Sequence, residues 1–410
     1  MHVSQTTVKV AAIVGTALAV VTGTGTAAGA TAQPAAATSS PWSQTNYNAA
    51  QSRANLAEQI LTRATAGKIR HMREVTAPPN PVAGCLGFSS PGVVAPVLVG
   101  GSLYAITSGY LTRYNAATGG IIWRRNPDPS FITVYTSLAV AGGLVVVGEV
   151  DCVSVSDPNG TIQAFSAATG ARVWSQPISP DGGALAQLVV SNGFVVATGA
   201  SAAGGQPVSV HKLATGGLVW FRLTGPCTAA DVLVDAQVVV AYSCTTAGAE
   251  RLVGSNLATG ARLWSRSGNW RLQRGDTDTT AGRHVFATSP GGAVVSLSPL
   301  TGQTQYSLAQ ARDVFAVDGA QAYASCGTAV CAYGTATGGL HWRAPGFIAA
   351  MAAEAGGVLY TDQGLALDTS NGKILTALWQ GTAAWLAVGG GRIAAVTDPR
   401  IVDLYGLPGS

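Results

Sequence analysis

Carboxylates are the first candidates for chemistry in this chain, because they can hold a cation, steer a basic peptide, accept from a sugar hydroxyl or take up a proton. Glu149, Asp151 and Asp157 fall close together, but Asp157, Pro158, Asn159 and Gly160 read as a turn, so the plainer account is a solvated hairpin extension. Asp231, Asp276, Asp278 and Asp313 form a second group. Aligning the repeating units described below on their first strands puts these four at or near the start of that strand in three successive units. There they would gather as an acidic lip at one mouth of a channel and bind a cation, a basic peptide or a sugar. The alternative is a set of unrelated strand ends, partly neutralised by Arg274 and Arg312.

Other arrangements carry less. Five scattered His give no Ser-His-Asp set and no zinc-ligand spacing, so no metal site is expected. Arg274, Gly275 and Asp276 spell an integrin-type tripeptide, but a strand entry presents it poorly. The glycines at 204–205 and 389–391 read as hairpin turns, since no Lys-Ser/Thr pair and no helix follow them as in a phosphate loop.

Six cysteines, an even number, fit an oxidising compartment. Cys326 and Cys331 flank a short turn, Cys227 and Cys244 flank two adjacent strands, and elimination pairs Cys85 with Cys152; six cysteines allow fifteen connectivities, so the pairing rests on proximity. Lys9, the uncharged Ala/Val-rich run 10–21 and the Ala30-Thr31-Ala32 site have the layout of a signal peptide over residues 1–32. That run is too short to span a bilayer, and no later segment is long and apolar enough. The expected address is secreted, extracellular or associated with the cell wall.

The elements that must position these residues come from a repeat. Thr-Gly followed four residues after the Gly by Trp recurs as Thr118, Gly119, Trp123; Thr169, Gly170, Trp174; Thr215, Gly216, Trp220; Thr259, Gly260, Trp264; and Thr337, Gly338, Trp342. Two weaker copies are centred on Gly302, with Tyr306 in the Trp place, and Gly372, with Thr376 there. The repeat length is that of a four-stranded propeller blade. Short apolar runs separated by Gly or Asn turns predict antiparallel strands, and helical periodicity is absent from residue 80 onward. The last unit stops after three strands, and residues 68–77 can supply its fourth. The expectation is all-β: an eight-bladed β-propeller of four-stranded antiparallel blades over residues 67–410, the last blade closed by an N-terminal strand, with seven blades as the alternative. Residues 33–66 read as a linker followed by a short leader helix at 49–66, with Leu56, Ile60 and Leu61 at helical spacing.

Composition agrees with this. The chain has 410 residues with 52 Gly, 47% apolar and only 10% charged, at a net charge of +4. A disordered polyelectrolyte lacks such apolar content, and a nucleic-acid binder needs a denser basic surface.

The repeat resembles the pyrroloquinoline-quinone (PQQ)-like propeller family, which includes quinoprotein dehydrogenases and the bacterial outer-membrane assembly propeller. Its docking motif, A-x-(D/N)-x-x-T-G-x-x-x-W, is followed by Ala164, Thr169, Gly170 and Trp174 with Ser166 in the acidic place, in its first half by Ala366, Asp368 and Gly372, and by Asn115 and Asn256 in two other copies. Ser89, Ser90 and Pro91 resemble the family's blade opening, and Trp42, Asn55, Glu58, Leu61 and Ile69 its leader. The resemblance implies a structural, blade-docking role for Trp123, Trp174, Trp220, Trp264 and Trp342; a flat indole between sheets buries about 150–250 Å². The family's enzymes hold the quinone between a Trp and a disulfide of adjacent cysteines, with calcium on carboxylate and Asn oxygens. Here no two cysteines are adjacent. The expectation is therefore a monomeric, non-catalytic scaffold for a protein, peptide or glycan, without PQQ or calcium; the alternative is a divergent PQQ-dependent oxidoreductase.

Overall fold

The computed structural model describes residues 41–409 except 77–93, 108–109, 127–132, 152–159, 179, 181–182, 202–204, 206, 224, 226–230, 245–248 and 277–282. The expected signal peptide, the linker up to residue 40, Asp278, Asp157 and the pairings Cys85–Cys152 and Cys227–Cys244 lie outside what is described. Cys326 and Cys331 are joined by a disulfide.

Eight antiparallel four-stranded sheets succeed one another round a closed ring. Their inner strands are Val94–Val99, Thr133–Ala141, Gly183–Ser191, Val232–Asp235, Arg271–Gly275, Val314–Val317, Ala352–Ala355 and Trp385–Gly389, and they define blades one to eight. Burial explains the sequence pattern of each sheet. Val232–Asp235 and Val314–Val317, covered on both faces by neighbouring blades, are buried throughout, whereas the outer strands Arg172–Pro177 and Arg262–Ser267 bury mainly the Trp at their third position. The eighth blade is closed as expected. Arg70–Thr76 pairs antiparallel with Ile401–Gly406, placing Glu74 opposite Asp403 and Val75 opposite Val402, so the ring has eight blades, not seven.

Each repeat Trp is held by the next blade. Trp123, Trp174, Trp220, Trp264 and Trp342 donate from Nε1 to the carbonyls of Ala167, Leu213, Leu257, Pro299 and Thr369 at 2.7–3.1 Å, each in the turn region of the following sheet. The ring lies on that turn's glycine. A Cβ on Gly302 would come within 2.5 Å of the Trp264 indole, and its φ of +68° belongs to the left-handed region, so the position requires Gly on two counts. Arginines two residues after Trp reach the same turns: Arg222 donates to Gly260 O at 2.5 Å and Arg266 to Gly302 O at 2.7 Å. At the seam between blades eight and one this is done by Arg73 of the closing strand, which donates to Thr118 O. Tyr306 keeps the docking geometry, its hydroxyl donating to Thr335 O. Thr376 does not; Trp379 takes over in blade seven, with Nε1 on Asp362 O at 3.1 Å and its ring 5.3 Å from that of Tyr405 in blade eight.

Residues 42–66 correct the reading of a flexible linker and a leader helix. Among them there is no α-helix, and Asn46, Tyr47, Gln51 and Arg53 have φ between +50° and +81°, which a right-handed helix excludes. Residues 42–55 form instead a strap that touches the inner strand of every blade in order. Trp42 pairs with Leu98 through both backbone groups; Ser43 O accepts from Val140 N; the Gln44 amide bonds Val190 N and O. Ala49 O, Ala50 O, Ser52 O and Arg53 O accept from Val234 N, Gly275 N, Val317 N and Glu354 N at 2.7–2.8 Å. Asn55 Nδ2 donates to Val388 O in blade eight. Ala54–Asn55 also adds as a parallel strand to Ala352–Ala355. The buried Glu58 carboxylate then accepts from Ile60 N, Leu61 N and Gly391 N. Of the three apolar residues read as one helical face, Leu61 is buried and Leu56 exposed. The polar backbone of the strap is satisfied partly by the ring and partly by its own turns, as where Arg53 N donates to Asn46 O and Gln51 N to Asn48 O, and neither pattern follows a helical period.

Candidate functional site

The three described aspartates, Asp231, Asp276 and Asp313, do not form one lip. Asp231 and Asp313 immediately precede the inner strands of blades four and six, but Asp276 follows the inner strand of blade five, at the opposite end. The cause is a short connection. The outer strand of blade four ends at Ser267 and the next inner strand already begins at Arg271, so the first strand of blade five lies upstream of Asp276.

Asp231 and Asp313 border a cavity of about 280 Å³ with Gln51, Arg271, Gln273, Arg274 and Ala350. Arg271 forms an exposed ion pair with Asp313. Gln273 is spent on structure: its amide donates to Thr288 Oγ1 and Arg312 O, and its oxygen accepts from Val314 N at 2.7 Å, tying blade five to blade six. Gln51, from the strap, donates to Val232 O and accepts from Arg274 at 3.4 Å. The Asp231 side chain reaches solvent, yet the crowding protein raises its pKa, with Arg274 and then Arg271 pulling the other way. Burial lowers Arg274 to about 10, and Asp231 opposes that.

Asp276 borders a second cavity of about 460 Å³ at the strap end, with Gln44, Asn48, Asp235 and Arg283. Neither Asp235 nor Arg283 was legible as a site residue, because they meet only across two blades. Asp235 is buried, its Oδ1 3.8 Å from Arg283 Nη1. Burial pushes its carboxyl up to about 7; Arg283 lowers it and Asp276 raises it. The native chain thus keeps a proton that the unfolded chain releases near pH 4, so stability falls as pH rises from about 4 to about 7 and the loss is complete above that. Glu354, pushed up to about 8 by burial and then by Asp318, acts with the same sign. The expected result is that Asp235→Asn gains in melting temperature relative to the parent between pH 5 and pH 8; parallel melting curves across that range would overturn the assignment. In the other acidic group, Glu149 is buried and accepts from Thr161 Oγ1 at 2.9 Å and from Gln163, so it serves its own sheet.

A family described as outer membrane protein assembly factor BamB matches residues 158–314. The chain carries the PQQ-like propeller repeat. Rings of this repeat appear among the solved structures most similar to it. BamB from Moraxella catarrhalis superposes with a TM-score of 0.57 at 17% identity, over 82% of this chain and 99% of that one. The quinohemoprotein alcohol dehydrogenase ADHIIG from Pseudomonas putida HK5 gives a TM-score of 0.62 at 14% identity, over 90% of this chain and 81% of that one. A europium-containing methanol dehydrogenase gives 0.57 at 13%, over 87% and 89%. No curated protein matches in sequence.

PQQ-like rings thus include enzymes, and the cavity bordered by Asp231 and Asp313 is where PQQ with calcium would have to fit. The residues do not fit. The carboxylates of Asp231 and Asp313 face arginines, which compete with a divalent cation, and among the described lining residues there is no tryptophan on which a flat quinone could stack and no cysteine.

Proposed function

We propose that the chain is an exported, non-catalytic scaffold that binds a peptide segment of a protein partner at the cavity between blades four and six. The observation that carries this reading is the lining: Asp231, Asp313, Arg271 and Arg274 present both signs of charge in one small space, suited to polar and charged side chains. Two further observations support it. The inner strands already take one extended peptide, the strap, through main-chain hydrogen bonds. The matching family is described as an assembly factor, which favours contact with other proteins. Export is supported by the signal-like run at 10–21 and by the Cys326–Cys331 disulfide.

The test is selection of ligands from a random peptide library on the parent, followed by affinity measurement on Arg271→Glu, whose side chain is exposed enough to be replaced without unfolding. A shared charged motif that binds the variant at least about ten-fold more weakly is the expected result. The second reading, a PQQ-dependent oxidoreductase, is favoured by the two dehydrogenase rings. Saturable binding of PQQ with calcium, together with turnover of an artificial acceptor dye, would replace the scaffold reading.

A further inference from the structure

The closing strand and its neighbour bring together three side chains that no spacing in the sequence could connect. His71 and Glu74 lie on Arg70–Thr76, and Asp403 lies opposite Glu74 on Ile401–Gly406. Their ligand atoms all fall within 4.8 Å of one another, with His71 Nε2 3.1 Å from Asp403 Oδ1. Tetrahedral zinc with bonds of about 2.0–2.1 Å sets its ligands about 3.3 Å apart, so the histidine and aspartate already stand at a suitable separation, and the Glu74 carboxylate, within 4.8 Å of both, has to draw closer to complete the set. Asp403 is buried, and its second oxygen accepts from the Thr397 hydroxyl, which fixes the carboxylate with Oδ1 turned toward the imidazole. Among the described residues no lysine or arginine forms an ion pair with Glu74 or Asp403, so two carboxylates share one imidazole without a permanent cation.

We propose that His71, Glu74 and Asp403 bind a zinc ion that clips the N-terminal strand to the C-terminal strand of blade eight. One nitrogen and two carboxylate oxygens are a zinc-type donor set, and a water completes the tetrahedron. The site stands on the outer side of the ring, apart from both cavities. It joins residues 332 positions apart, on the blade that an N-terminal strand closes against the last strand, Ile401–Gly406. Bound only by the closed ring, the ion stabilises closure by mass action.

The experiment uses the full chain without a polyhistidine tag, stripped with EDTA and dialysed, then titrated with zinc chloride against a chromophoric zinc indicator. Glu74→Gln and His71→Gln are measured in parallel; both side chains reach solvent, so both variants are expected to melt in EDTA close to the parent. The expected result is a single zinc ion per chain, a melting temperature about 3–6 °C higher in saturating zinc than in EDTA, and at least about ten-fold weaker binding with loss of that rise in each variant. Absence of a zinc-dependent rise in the parent, or zinc binding that survives both substitutions, overturns the proposal. A variant that melts early in EDTA is replaced by Asp403→Asn, judged by the same two readouts.

Discussion

Removing every residue up to Thr76 should leave a chain that does not melt cooperatively and does not elute as a single species. The deletion takes the strap, which supplies a hydrogen bond to the inner strand of each of eight blades, and the outer strand of blade eight. It also removes the buried side chains Trp42, Leu61, Ile69 and Val75 from the main core. Hydrogen bonds at about 1 kcal/mol each and large apolar side chains at about 2–4 kcal/mol each sum to more than the 5–15 kcal/mol that ordinarily separates folded from unfolded chains. The strand of blade eight left at the edge, Ile401–Gly406, would present unpaired backbone and invite association. A shorter deletion, ending at Asn55, keeps the closing strand and should give a folded but strongly destabilised ring. Circular dichroism melts and size-exclusion profiles distinguish the three chains. If the longer deletion melted within a few degrees of the parent, the strap and closing strand would be ornaments on a ring that closes without them.

Trp264→Ala should cost about 3–5 kcal/mol, a fall of about 4–6 °C in melting temperature for a ring of this length. The indole is buried between blades four and five, donates to Pro299 O at 2.7 Å and lies on Gly302. Gly302→Ala attacks the same contact from the other side, by a Cβ pressed into the indole and by the strain of its φ. The two substitutions therefore share one loss, and the double variant should be less destabilised than the sum of the singles. Urea denaturation of the four proteins gives the coupling directly. Additive losses would mean that the indole and the glycine act independently and that blade docking lies elsewhere.

How much of this was legible follows from where each signal is written. The Thr-Gly turn and its Trp sit within one blade and repeat, so residues such as Gly170 and Trp174 announce the ring without any knowledge of distant contacts. The closing strand was legible from a deficit, since the last unit lacks an outer strand. The strap was not legible, because Ala49, Ala50, Ser52 and Arg53 act through carbonyl groups that every residue type possesses. For the same reason its left-handed residues, Asn46, Tyr47, Gln51 and Arg53, gave no warning through glycine. In the candidate site, Asp231 and Asp313 were placed at the strand starts where they occur, but Asp276 was misplaced by one unusually short connection between blades. Arg271, Arg274 and Gln51 join the cavity only through the packing of three separate segments, and Asp235 meets Arg283 only across a blade boundary.

The strap also dictates a timetable. Its donors and acceptors lie in the inner strands of all eight blades, from Leu98 to Val388, and the partner of Arg70–Thr76 is the final strand of the chain. Residues that leave the ribosome, or cross a membrane, first are thus the last to find their places. Their contacts span hundreds of residues, and such long-range pairing makes folding slow. A chain cut short anywhere before Ile401 has blades but no clasp, so the ring can close only once Ile401–Gly406 has been made. A protein threaded through a translocon N-terminus first would be held open by its own topology until its last strand arrived on the far side.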